Sequence, residues 1–359
     1  MKGSWPRGRL MGDWESLDFS QESSDVGTMA EGVRQAIENC LRVKAGDRVV
    51  VITDRETLEI GSALRAAAEQ IAGPAEFFVM EDFGPRPIDF PPAMAEALAA
   101  ATVSIYAAQG APGELQTFRF HMLKAVEANP ELRHAHMIGI TPQIMTDGMC
   151  GDYAEIQRIS RWVYEKVKDA REIRVVTERG CDFTARFSRQ IKWLISDGDI
   201  QGGHWKNLPD GEVFTAPLDV DGTAVIDGCL GDFFTERYAS LAETPVTVKI
   251  ENGRAVAESL RCDNEQLRAD FARYLFETDE NSDRVGEFAI GTNTGLTELI
   301  YNLLQDEKFP GVHIAFGSPL PGRTGADWDS KAHVDGVIIA PTIHVDGEKL
   351  MDKGRFCFE

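Results

Sequence analysis

Charged and imidazole side chains inside strongly β-forming sequence are the first candidates for chemistry, because an unpaired charge is costly to bury. Five stand out. Glu212 follows the opening glycine of GEVFTAP and Glu287 follows that of GEFAIG, while His313 lies in GVHIAFG and His333 and Asp335 lie in AHVDGVIIAP. Each is within two residues of a glycine or alanine and is followed by apolar β-formers, which predicts a position near the start of a strand. The two-residue period of a strand puts His333 and Asp335 on one face, with Val334 turned away. Two imidazoles and three carboxylates suit one or two divalent metals such as zinc, cobalt, manganese or ferrous iron.

The tetrapeptide HVDG occurs twice, at 333–336 and 344–347. The first copy leads into a strand. The second ends one, and its Asp346–Gly347 pair is a hairpin-turn signal before EKLM. The first is therefore the expected ligand pair and the second the expected turn. Trp205, preceded by His204, comes just before the first motif, and Trp328 and Asp329 lie in a Gly/Pro loop between His313 and His333. These are the candidates for substrate contact. His134 and His136 belong to the N-terminal half, where His134 is expected at the surface.

The elements that must hold these residues fall into two rhythms. From Met29 to about residue 170, short apolar runs such as RVVVIT alternate with helical patterns. This predicts a doubly wound α/β domain with buried parallel strands. The first strand leads into DRETLEIGSAL, which lacks the glycine-rich turn of a dinucleotide site. From residue 171 onward strands dominate, beginning with a hairpin around Gly180 and including VTVKIENGRAVAES with its Asn252–Gly253 turn. A helix over 264–277 interrupts them, and VIIAPTIHV reads as one strand. The expectation is an α/β two-domain protein: a scaffold over 29–170 and a mixed α+β metal-binding catalytic domain over 171–359.

Composition narrows the partners. A formal charge of −21 argues against nucleic acid and anionic membrane as ligands. The six cysteines are scattered without a CxxC pair, as in a reduced, cytoplasmic protein. No apolar run approaches the ~20 residues of a membrane span. Residues 1–28 read as a loose N-terminal arm, with Met11 or Met29 as alternative starts.

Four stretches, NLPDGEVFTAP, GEFAIGTN, DEKFPGVHIAFG and SKAHVDGVIIAPTIHVDGEKL, resemble in identity and order the C-terminal domain of the M29 metallopeptidases, the family of aminopeptidases S and T. The resemblance covers roughly 171–359. It implies that Glu212, Glu287, His313, His333 and Asp335 bind two metals (zinc, cobalt or manganese) and that the chain forms a homodimer. It also implies a metal-activated water that hydrolyses small peptides or amides, with Glu212 or Glu287 carrying the proton. One departure stands out: the family has a tyrosine seven residues after the histidine, and here Leu320 occupies that place. The fold's relatives also include 2,5-dihydroxypyridine dioxygenase. The alternative is thus a mononuclear ferrous oxygenase using His313, His333 and Asp335.

Overall fold

The computed structural model describes residues 27–358, so the arm expected over 1–28 lies, except for its last two residues, outside the described residues. Three sheets organise the chain. The first has five strands in the order Glu76–Val79, Val49–Thr53, Val103–Ala108, Arg133–Ile138 and His204–Asn207, all parallel. Its apolar runs bury both faces: Val49 and Val51 belong to one hydrophobic cluster, and Val50 and Ile52 to another. That is why RVVVIT shows no alternation.

Two antiparallel sheets follow. An eight-stranded sheet carries the Glu172–Val176 and Asp182–Arg186 hairpin, and a five-stranded sheet carries the motif strands. They share one core, in which Val175 and Phe183 of the larger sheet meet Phe288, Ile290, Ile314 and Phe316 of the smaller. The helix Glu265–Glu277, capped by Asn264, contributes Leu267, Phe271 and Leu275 to the same core. No helix among the described residues is long and apolar enough to cross a membrane.

Two expectations need correction, and one strand was not foreseen. His204–Asn207, a stretch not read as a strand, pairs in parallel with Arg133–Ile138 and completes the first sheet. VIIAPTIHV is two strands in two sheets, because His333–Ile338 and Thr342–Val345 are separated by Ala340 at φ 47° and by Pro341. Proline has no N–H to give the ladder, and the chain crosses between sheets there. His134 is fully buried rather than at the surface, with Nδ1 2.7 Å from Ser104 Oγ.

The five-stranded antiparallel sheet positions the motif residues by alternation. Val213, Phe288, Ile290, Val312, Ile314, Val334 and Ile338 point into the shared core. Period two therefore sends Glu212, Glu287, His313, His333 and Asp335 to the opposite face. One irregularity is needed for this. Val285 and Glu287 are two apart, yet Val285 belongs to the core. A bulge at Gly286, where the register shifts between Val285 and Glu287, resolves the conflict. A Cβ on Gly286 would lie 2.2 Å from the Gly317 carbonyl oxygen. Gly286→Ala is expected to cost about 1–3 kcal/mol of stability and to weaken metal retention, measurable by denaturant unfolding and by metal content after dialysis. Unchanged values in both would contradict this role of the bulge.

Candidate metal centre

Cross-strand register brings the five side chains together. Glu287 lies beside Ala315, and Ala315 beside Asp335, on three consecutive strands. His313 is flanked by Ala289 and Val337, and Glu212 lies beside Gly291. Small residues thus form the floor, leaving space above it for the longer side chains to converge.

The converging atoms are spaced as ligands around shared centres. His313 Nε2 is 3.4 Å from Glu287 Oε1, 3.5 Å from Glu212 Oε2 and 4.0 Å from Asp335 Oδ1. His333 Nε2 is 3.5 Å from Asp335 Oδ1 and 3.7 Å from Glu287 Oε2. Most of these are too long for hydrogen bonds, but they match the separations between donor atoms that surround one ion. The two oxygens of Glu287 face different imidazoles. His333 Nδ1 lies 3.0 Å from the Ser318 carbonyl oxygen; since a carbonyl only accepts, Nδ1 carries the proton and Nε2 presents its lone pair to the cluster. Tyr274 Oη fixes the His333 backbone, accepting its N–H at 3.0 Å and donating to its carbonyl at 3.2 Å. His313 Nδ1 is buried with no partner among the described residues, so Nε2 is the nitrogen offered to the cluster.

Two further residues join, and sequence reasoning missed both. Lys308, 1% exposed, places Nζ 2.7 Å from Glu212 Oε1 and 2.6 Å from Glu307 Oε1. Glu307 also forms a potential ligand group with His313 and Asp335. Both residues lie in the DEKFPG stretch that precedes His313. They follow the short helix Leu303–Asp306, whose Asn302 cap accepts the Leu304 N–H. The visible signal was a lysine and a glutamate adjoining a buried strand.

Electrostatics fit a cation. Four carboxylates and one ammonium leave three net negative charges when both imidazoles are neutral, which is expensive in a buried site. Without metal, the carboxylates draw protons onto the imidazoles instead. Burial alone would lower the His313 pKa, but the Glu287 hydrogen bond and the charges of Glu212 and Asp335 push it up to about 9. Burial is likewise outweighed at His333, where Asp335 and Glu287 raise it to about 10. Burial, opposed by Lys308 and reinforced by Glu212, raises Glu307 above the usual carboxylate range.

The substrate candidates fare differently. A cavity of about 450 Å³ opens over the cluster, lined by Glu212, Glu287, His333 and Asp335 on one side and by Gln109 and Gly139 on another. Gln109 and Gly139 follow the carboxyl ends of parallel strands, the usual site for ligands in such sheets. Trp205, Trp328 and Asp329 do not line this cavity. The Trp205 Nε1 donates to Glu127 at 3.3 Å, and its ring lies 5.7 Å from His136. Arg284 stacks 4.0 Å over Trp328, and Asp329 accepts from Ser318 Oγ at 2.6 Å. Position between two ligands in sequence did not mean position beside them in space. His344 lies in the eight-stranded sheet, outside the cluster. Leu320 does line the cavity, at φ 53°, and so does Tyr301, a phenol that sequence order gave no reason to place there.

Two outcomes follow for the metal-free protein. The charged imidazoles stabilise the fold fully below the ordinary histidine pKa of about 6.5, and this contribution is lost as pH rises through about 9 to 10. Metal must displace those protons. Calorimetric titration with zinc near neutral pH should therefore release protons, and apparent affinity should rise with pH; a pH-independent affinity would contradict this. Separately, His333→Ala should weaken metal binding more than about tenfold, whereas His344→Ala should leave it unchanged, as read by metal content after dialysis.

Comparisons with known proteins bear on the fold and on the family. The solved 2,5-dihydroxypyridine dioxygenase from Pseudomonas putida superposes with a TM-score of 0.66 at 16% identity, over 91% of this chain and 96% of that one. Wild-type AmpT from Thermus thermophilus gives 0.63 at 18% identity, over 91% and 98%. At such identities the two establish a shared fold. No curated protein matches the sequence significantly. The family model described as thermophilic metalloprotease (M29) matches residues 152–355, which include all seven residues of the cluster. With more than half of its length so matched, the chain belongs to the M29 metallopeptidase family.

Proposed function

We propose that the chain is a dinuclear metallohydrolase that cleaves short peptides or aminoacyl amides. The observation that carries this reading is Glu287, whose Oε1 faces His313 and whose Oε2 faces His333. A carboxylate directed to two ligand groups is the arrangement that bridges two ions. Glu212, Glu287 and His313 would hold one, and Glu287, His333 and Asp335 the other. Two divalent ions so held would supply a Lewis acid for the substrate carbonyl and a water acidified toward neutral pH.

The chain's own residues supply the rest. Lys308 holds Glu212 in place and offsets part of the carboxylate charge. Glu212 and Glu287 belong to the two groups assigned here to the ions and Glu307 to neither of those two, which makes Glu307 the better carrier of the proton. Held by Lys308 beside His313 and Asp335, its carboxylate would take a proton from the attacking water and return it to the leaving amine. Tyr301 brings a phenol to the cavity wall, where Leu320 offers none. In this reading residues 29–170 are the scaffold and 171–359 the catalytic unit, with the His204–Asn207 strand reaching across to tie them.

A second reading has one observation in its favour. Leu320 in the cavity wall removes the tyrosine that the resemblance leads one to expect, and His313, His333 and Asp335 alone would form a two-histidine, one-carboxylate site for ferrous iron. The dual orientation of Glu287 weighs against it. The test is turnover by the metal-reconstituted protein. Hydrolysis of aminoacyl amides, lowered by more than about a hundredfold in Glu307→Gln, supports the proposal. Oxygen uptake on a dihydroxypyridine with one iron per chain, and no amide hydrolysis, would refute it.

A further inference from the structure

Four charged side chains in the wall of the cavity take no part in the metal cluster. Arg119, Arg323, Asp232 and Glu236 all line it. Arg119 ends the Leu115–Arg119 segment, and Arg323 lies on the Pro321–Thr324 turn that follows Leu320. Among the described residues, neither guanidinium lies within 4.0 Å of any carboxylate, and neither makes a side-chain hydrogen bond. Asp232 and Glu236, both exposed at the cavity wall, are also without an ion-pair partner among the described residues. Lys308, by contrast, is fully engaged by Glu212 and Glu307.

Unpaired cations are notable in a chain with 58 acidic and 37 basic residues, where carboxylates are easily found. Arg119 is half-buried, and its Nε is enclosed without a partner. Enclosing a guanidinium nitrogen without an acceptor is unfavourable. Arg323 is exposed at the mouth, where its guanidinium stacks 5.0 Å from the centre of the Phe214 ring. That contact orients the planar fork without consuming its donors. Two anions and two cations share one cavity with no ion pair among them within 4.0 Å, although the charge of Arg119 reaches Asp232. A ligand bearing both charges would complete them all.

We infer that the cavity recognises zwitterionic short peptides, with Arg119, assisted by Arg323, binding the free terminal carboxylate and Asp232 and Glu236 facing the amino-terminal charge. This inference rests on the hydrolase reading and deepens it by naming the substrate class. Neither arginine pairs with a cluster carboxylate within 4.0 Å, which leaves both guanidiniums free for the substrate carboxylate. A volume of about 450 Å³ suits a di- or tripeptide and excludes a folded chain. The turn after Gly317, where this sequence departs from the family at Leu320, is also the one that presents Arg323.

The experiment measures binding as well as turnover in the zinc-loaded protein. Two dipeptide analogues with a reduced, uncleavable central bond are titrated by calorimetry, one with a free carboxylate and one with a terminal amide. The acid is expected to bind about 10- to 100-fold more tightly, the range for a charge-assisted guanidinium–carboxylate pair. Arg119→Gln should bring the ratio close to unity, Arg323→Gln should lower it in part, and Arg119→Lys should restore part of it. The corresponding cleavable dipeptide and its amide should show the same order in kcat/KM. Equal binding of acid and amide by the unaltered protein would overturn the inference, as would an unchanged ratio in both glutamine variants. If neither cleavable compound is hydrolysed yet the acid preference persists and is lost in Arg119→Gln, the hydrolase reading fails and the carboxylate anchor stands.

Discussion

The structure depends on a buried charge imbalance. Glu212, Glu287 and Asp335, each at most 7% exposed, converge with Glu307 on one face of a sheet whose other face is hydrophobic core. Among the described residues, the ammonium of Lys308 is the one permanent cation paired with them. A cluster so enclosed resists assembly unless protons or metal ions neutralise it. The imidazoles can do either: they take up protons when metal is absent, or present Nε2 to an ion when it is present. Folding, metal affinity and pH response are therefore one coupled equilibrium.

The sheet meets this constraint through ordinary strand geometry. Alternation sends five candidate ligand side chains to one face, and Ala289, Ala315 and Gly291 keep the space between them clear. The bulge at Gly286 corrects the phase of Glu287, the residue whose two oxygens link both halves of the cluster. Carboxyl ends of parallel strands in the first sheet then roof the site through Gln109 and Gly139. The cavity is thus built from distant parts of the chain, joined by the His204–Asn207 strand that adds to the first sheet just before Glu212.

Much of this was legible in the sequence, for identifiable reasons. His333 and Asp335 share a face because strand periodicity is local, and the second HVDG is a turn because Asp346 and Gly347 adopt positive φ, as that dipeptide favours. The apolar runs of the first sheet were readable as strands, but not the His204–Asn207 strand, whose partner lies some seventy residues earlier. Glu307 and Lys308 escaped notice because they sit in a loop, where no period fixes side-chain direction. Trp205, Trp328 and Asp329 fall outside the cavity lining, since nearness in sequence to a candidate ligand carries no information about the side of the backbone a residue occupies. Tyr301 needed the full fold to reach the cavity.

The central claim is that one carboxylate bridges two ions in this cluster. The most direct measurement is metal stoichiometry by native mass spectrometry, comparing the unaltered protein with Glu287→Ala after loading with zinc. The account predicts two ions per chain in the first, and loss of at least one in the variant without loss of fold. A single ion in the unaltered protein, or two ions retained without Glu287, would contradict it.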